Sequence, residues 1–407
     1  MRRLLTCTLL VILLGFAGAA NGQDPAQATV QSLLKDLKGS EYEKAQAAAS
    51  DLGNFPQFKA QIVPALLGAL NQEWDHCTGD IRQAIGTSLA RLAGKDAVFP
   101  LLKLLQSGKT VEHDCAECGC CFLGYTPGDV FTARNFDPFC ENSLLAVINA
   151  QADPSHLKAM ADLVSQGKWK PELLITIGKV GIPRYAHFIS RYKDDPEASV
   201  RMAVARALRL IANEQAAVPV LIQLLSRGNE EFLVRWEASE SLIALGKRGK
   251  VPSLKDRLNT LLKERDNATV LLAARSLAAL GDEAGFLKLR ELAADKDGKI
   301  RSEAVLYLGE AADAKAKPIL IKSLDDENLA VRASAIYALG RIGDASLIPT
   351  LERAFQASSV YQDELAKRLK AGTAEATLQQ QYGYGTYDLR ETLQEAIDTI
   401  KRGGKRN

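Results

Sequence analysis

The chain has 407 residues, with 51 lysines and arginines against 49 aspartates and glutamates. A balance this close leaves no overall electrostatic footprint for nucleic acid, which requires a basic face to neutralise phosphates. The length would ordinarily suggest two or three domains, but a repeat array breaks that rule.

The first segment, "MRRLLTCTLLVILLGFAGAANGQ", places two arginines before a short apolar run and then small residues. This is the pattern of a secretory signal peptide over 1–22. Its apolar run is short for a bilayer span of about 20 residues. Cleavage before Gln23, or after Ala20, is expected to release an exported protein, periplasmic or extracellular, with no remaining membrane span. Loss of Arg2 and Arg3 leaves 51 − 2 = 49 basic against 49 acidic residues, and Cys7 leaves with the same segment.

Residues 23–106 show the first signs of a repeat. "AAASDLGNFPQFKAQIVPALLGAL" reads as a degenerate opening unit suited to a cap. "DIRQAIGTSLARLAGKDAVFPLLKLLQ" is more regular, with Arg82 followed seven residues later by Leu89. Two weaker units, "NSLLAVINAQADPSHLKAMADLV" and "PELLITIGKVGIPRYAHFISRY", open the region 143–357. Beyond them the period is plain. Arg201 precedes Leu208, Arg235 precedes Leu242, Val270 precedes Leu277, Arg301 precedes Leu308 and Arg332 precedes Leu339, always by seven, with spacings between units of 34, 35, 31 and 31. Each unit reads as two helices. The first carries a buried stripe such as Val331, Ala335, Ile336 and Leu339. Asp195, Asn229 and Asp326 are expected to cap these first helices. Gly281–Asp282 and Gly343–Asp344 are expected to turn the chain into the second helices, which carry Pro219, Pro318 and Pro349 in their first turns. A unit of about 31 residues cannot bury its stripe alone, whereas a stack buries a continuous core. The repeated arginines are read as links between units, meeting carboxylates or carbonyls. In the last segment, 387–407, Arg390 and Ile397 restore the spacing in a closing helix before a basic tail.

The V-R-x-x-A-x-x-A-L-G-x-I-G-D pattern at Val331–Asp344 resembles a HEAT repeat of the short form named after the phycobilisome lyases. The resemblance covers most of 45–357 and resumes at 387–401, in the manner of an exported bacterial-type member. It implies an all-α fold, an α-solenoid of stacked helix pairs that binds partner proteins along its concave surface. One relative, deoxyhypusine hydroxylase, binds iron through His-Glu pairs. Here the four histidines precede Cys77, Asp114, Leu157 and Phe188, so that activity does not carry over.

Two insertions interrupt the period. The first, 107–142, contains "HDCAECGCC" and is rich in glycine and aromatic residues, among them Tyr125, Phe131 and Phe136. After removal of Cys7 six cysteines remain: Cys77, Cys115, Cys118, Cys120, Cys121 and Cys140. An even number in an exported chain favours three disulfides. Each bridge closing such a loop contributes roughly 2–4 kcal/mol. The alternative is a metal or thiol-redox centre. Cys115-x-x-Cys118 is half of a zinc-type knuckle, with His76 and His113 as further ligands to zinc or iron. The second insertion, 358–386, ends in "LQQQYGYGTYD", where Tyr382, Tyr384 and, just beyond it, Tyr387 alternate with small residues. Tyrosine offers large contact area at low entropic cost, so these aromatics are candidates for holding a partner protein.

The sequence contains no nucleophile elbow, phosphate-binding loop, dinucleotide fingerprint or His-Glu-x-x-His pair. The expected function is therefore an exported, disulfide-braced, non-catalytic scaffold for protein–protein interaction, without a cofactor. A site assembled from scattered residues on the concave face stays open as an enzymatic alternative.

Overall fold

The computed structural model describes residues 24–107 apart from 71 and 73–78, residues 143–356 apart from 212, 250 and 252, and residues 389–402. The fold is all-α, an α-solenoid of helix pairs. The described residues divide into two compact units, one ending at Ile211 and the other beginning at Asn213.

In the first unit α1 (Pro25–Leu37) precedes four pairs. The first members are α2 (Tyr42–Leu52), α4 (Gly79–Leu92), α6 (Ser143–Gln151) and α8 (Lys170–Val180), and α10 (Ala198–Leu210) extends their row. The second members are α3 (Lys59–Ala69), α5 (Val98–Ser107), α7 (Leu157–Ser165) and α9 (Tyr185–Ser190). Successive first members pack against one another, α2 on α4, α4 on α6, α6 on α8 and α8 on α10.

The second unit opens with α11 (Glu214–Ser226) and continues with first helices α12 (Phe232–Lys247), α14 (Asn267–Ala279), α16 (Gly298–Glu310) and α18 (Leu329–Ile342). Their partners are α13 (Leu254–Leu261), α15 (Glu283–Leu292), α17 (Lys317–Lys322) and α19, a helix over 348–356. The closing helix, α20 (Leu389–Lys401), packs on α18 through Leu393, Ala396, Ile397 and Ile400.

The seven-residue spacing has a direct physical meaning. Leu89, Leu208, Leu242, Leu277, Leu308 and Leu339 are all fully buried, two helical turns below their arginine or its replacement. Between pairs, left-handed Gly281 (φ 69°) and Gly343 (φ 71°) end α14 and α18, and Asp282 and Asp344 then cap the following turns through Ala284 N–H and Ser346 N–H. Ala312 occupies the equivalent position between them and adopts φ 51° despite its Cβ.

Two local expectations are corrected. The caps of α10, α12 and α18 are Glu197, Glu231 and Asn328, not Asp195, Asn229 and Asp326. Asp195 and Asp326 sit two residues upstream, accepting from Glu197 N–H at 3.1 Å and Asn328 N–H at 2.8 Å. Asp195 keeps Oδ2 for Lys170, and Asp326 takes Arg301 on both oxygens, so each aspartate also binds a cation from the preceding repeat. Pro219 is inside α11, because Asn213 caps that helix through Ala216 N–H and starts it early. Pro318 does open its helix, after the short 3-10 turn Ala314–Ala316.

Candidate functional site

The repeated arginines act within the stack. Arg201, Arg301 and Arg332 each donate from one nitrogen to the carbonyls six and five residues before them: Asp195 and Pro196, Asp295 and Lys296, Asp326 and Glu327. Arg301 also forms a bidentate pair with Asp326 of the next repeat, at 2.8 and 2.9 Å. Arg235, 4% exposed, donates to the Leu225 carbonyl, to Asp266 and to the Thr269 hydroxyl. The turn aspartates form a second ladder. Arg290 grips Asp313 at 2.7 and 3.0 Å, Lys317 pairs with Asp344, and Lys255 reaches Asp282 at 3.7 Å. Each of these aspartates caps its own turn and anchors the repeat before it.

These contacts set the carboxyl pKa values. Burial works to raise Asp266 and Asp326, but hydrogen bonds from Thr269 and Arg235 to the first, and from Arg301 and Asn328 N–H to the second, hold both below the ordinary range. The Lys317 ammonium holds the half-buried Asp344 down at about 2.

The densest polar cluster joins α12, α14 and α16. Arg275 on α14 lies with its guanidinium carbon 3.9 Å from the ring centre of Trp236 (α12) and 5.2 Å from that of Tyr307 (α16), a cation–π sandwich. Its nitrogens pair with Glu240 on one side and Glu310 at 3.1 Å on the other. Ser239 and Ser276 share a 2.9 Å hydrogen bond beneath it. Burial pushes the Tyr307 phenol well above its ordinary value, and the nearby Glu303 charge acts in the same direction. Glu303 is itself raised by burial. The cation is neutralised on two sides and roofed by rings, so the cluster seals α14, whose residues from Thr269 to Ala278 are all buried. Above it Phe232, 42% exposed, lies 6.1 Å from Trp236 and faces solvent.

A second aromatic group lies in the first unit, along α9. Tyr185 and Phe188 meet edge to face at 6.2 Å, and Phe188 meets Tyr192 at 5.5 Å. The exposed Arg184 and Arg191 lie over the Tyr185 and Phe188 rings at 5.6 and 6.0 Å. His187 beside them is exposed, whereas His156 is buried against Phe99, its Nδ1 accepting Asp153 N–H at 3.0 Å. The α9 strip was readable as aromatics at 185, 188 and 192 interleaved with arginine in "PRYAHFISRY", but in the sequence it passes as a weak repeat. At the other end of the chain an open groove of about 720 Å³ runs between α19 and α20, its walls mixing apolar Pro349, Phe355 and Ile397 with polar side chains such as Glu352, Arg353 and Lys401.

The site residues expected from sequence lie outside the described residues: Cys77, Cys115, Cys118, Cys120, Cys121 and Cys140, His76 and His113, and Tyr125, Phe131, Phe136, Tyr382, Tyr384 and Tyr387. Among the described residues no group of three or more His, Cys, Asp and Glu side chains is placed to hold a metal ion. No described helix is long and apolar enough to cross a membrane.

Residues 185–260 and 286–370 match the sequence pattern of HEAT repeats. These two segments are HEAT repeats. Arg201–Leu208, Arg235–Leu242, Arg301–Leu308, Arg332–Leu339 and the Gly343–Asp344 turn fall within these segments, whereas Arg82–Leu89, Val270–Leu277 and the Gly281–Asp282 turn lie outside them. No curated protein sequence matches the chain. Among solved structures, an engineered protein is 20% identical, with 92% of this chain and 99% of that one covered at a TM-score of 0.31. The karyopherin Kap121p is 13% identical, with 98% of this chain covered at a TM-score of 0.44, and this chain spans 49% of its length. Human deoxyhypusine hydroxylase is 18% identical, with 77% of this chain and 99% of that one covered at a TM-score of 0.25.

Proposed function

We propose that the protein is an exported HEAT-repeat scaffold that holds a partner polypeptide and performs no chemistry of its own. The observation that carries the reading is how the stack uses its side chains. Arg235, Arg275, Arg290 and Arg301 are engaged by carboxylates of neighbouring helices, while aromatic side chains such as Phe232, Tyr185 and Phe188 keep contact with solvent. Stacked repeats offer long surfaces with many such points, and recognition by a few aromatic and arginine anchors is the usual economy of protein interfaces. Export follows from the segment 1–22, and three disulfides among Cys77, Cys115, Cys118, Cys120, Cys121 and Cys140 would brace the first insertion.

The test has two arms. In-cell crosslinking, followed by titration of the purified chain against the crosslinked polypeptide, is expected to give saturable binding of defined stoichiometry; a chain that crosslinks to nothing sinks the scaffold reading. The intact mass of exported, unreduced protein is expected to show cleavage near Gln23 and the loss of six hydrogens. Four cysteines within seven positions also support a zinc, iron or thiol-redox centre. A metal-sized adduct or free thiols would move the functional centre to Cys115–Cys121.

A further inference from the structure

The strip along α9 differs from every other cationic feature described above. The stack's arginines are met by carboxylates or carbonyls, whereas Arg184 and Arg191 touch only aromatic faces. Among the described residues neither guanidinium has a carboxylate partner or a hydrogen-bond acceptor. The neighbouring charges add nothing negative in excess: Lys158 pairs with Asp162 at 2.9 Å, and Lys193 pairs with Asp194. The local sum is therefore two uncompensated arginines beside an exposed histidine, His187.

A cation–π contact with a ring holds each guanidinium beside the strip while its N–H donors still point to solvent, ready for an acceptor. A partner that covers this strip without acceptors would strand those donors away from water, which is unfavourable. A carboxylate can meet a guanidinium with two parallel, charge-assisted hydrogen bonds. Between the two arginines Tyr185, Phe188 and Tyr192 are each half-buried, offering an apolar floor. We infer that the α9 strip is a docking surface for a polypeptide segment in which acidic residues flank an apolar one, the apolar side chain resting on the Phe188 ring and the carboxylates meeting Arg184 and Arg191. This rests on the scaffold reading and names the chemistry of its partner. Rings interleaved with arginine also suit single-stranded nucleic acid, but the near-neutral charge balance of the chain favours the peptide.

The probe is a fluorescein-labelled peptide of repeating Glu-Phe-Glu-Gly, read by anisotropy against the full chain, with Gln-Phe-Gln-Gly and Lys-Phe-Lys-Gly peptides and a labelled oligothymidylate as controls. Only the acidic peptide is expected to bind, and its affinity should fall as salt rises. The R184A/R191A pair, whose helicity by circular dichroism should match the parent, is expected to lose at least tenfold. The R184K/R191K pair should retain part of the affinity, since lysine keeps the charge but not the planar fork. Equal binding of the glutamine peptide, no binding of the acidic one, unchanged affinity of R184A/R191A, or tighter binding of the oligothymidylate would each overturn the inference. If the acidic peptide binds but ignores R184A/R191A, or if a crosslinked partner maps elsewhere, the scaffold reading survives and only the α9 assignment falls.

Discussion

Two interfaces in the second unit join equivalent helices by opposite means. Between α16 and α18 the backbones nearly touch: a Cβ added to Gly309 would lie 2.4 Å from the Ala338 Cα. Between α12, α14 and α16 the space is filled by Trp236, Arg275 and Tyr307, with Glu240 and Glu310 closing the charge. The first contact depends on shape and tolerates no added atoms. The second depends on a balance of charge and aromatic faces, and tolerates loss only if all partners go together. A HEAT repeat therefore fixes the order of its helices without fixing the chemistry that joins them, and each junction fails in its own way.

The largest effect is expected from breaking the filled junction. Arg275→Leu leaves Glu240 and Glu310 without their cation in a largely buried setting, at a cost of about 3 kcal/mol, read as a lowered urea midpoint. Adding Glu240→Gln and Glu310→Gln to that variant should recover much of the loss, because the stranded charges then disappear. No recovery would show that the cluster works by packing instead.

Gly309→Ala breaks the tight junction and is expected to cost about 2 kcal/mol, because the Ala338 backbone has to move. The two losses should add, within a few tenths of a kcal/mol, only if the junctions are independent. Tyr307 lies on α16 with Gly309, two residues away, so a coupling between the two variants would show that α16 transmits strain.

The ladder predicts a graded result. Arg301→Ala removes a bidentate pair and two carbonyl contacts and should cost about 2 kcal/mol, whereas Arg332→Ala, with two carbonyl contacts described, should cost about 1 kcal/mol. Acidity separates the same elements. The folded-state pKa of Asp344 is depressed to about 2 from an unfolded value near 3.8, so its contribution is complete above pH 4 and is lost as the pH falls towards 2. Glu303 behaves in the reverse sense. Its folded pKa is raised, so its protonated form favours the fold, and that advantage is lost as the pH rises through the raised value. Urea melts at pH 3.5 and pH 7 should therefore find Glu303→Gln neutral at the lower pH and stabilising at the higher one.

The smallest effect is a gain. Ala312→Gly relieves a left-handed alanine at the position where the neighbouring repeats use glycine, and should stabilise by about 0.5 kcal/mol after the entropy of the added glycine is counted. A loss in thermal midpoint would show that the Ala312 methyl packs usefully.

The sequence by itself determined the period, the buried leucine seven residues after each arginine, and the glycine–aspartate turns, because hydrogen-bonded turns and helical stripes depend on neighbours within a few residues. It also singled out the cysteine and tyrosine insertions by composition, since residue types are visible without a fold. It misplaced the caps at Asp195 and Asp326, because an aspartate just before a helix can serve the turn upstream as well as the helix itself. Only the tertiary structure decided which arginines meet carboxylates and which are left uncompensated. Arg275 finds Glu240 and Glu310 across 35 residues of sequence in each direction, and Arg301 finds Asp326 across 25, distances set by how helices stack. The same holds for α9: its aromatic spacing was in the sequence, but that Arg184 and Arg191 lie over those rings without a carboxylate partner among the described residues is a property of packing alone.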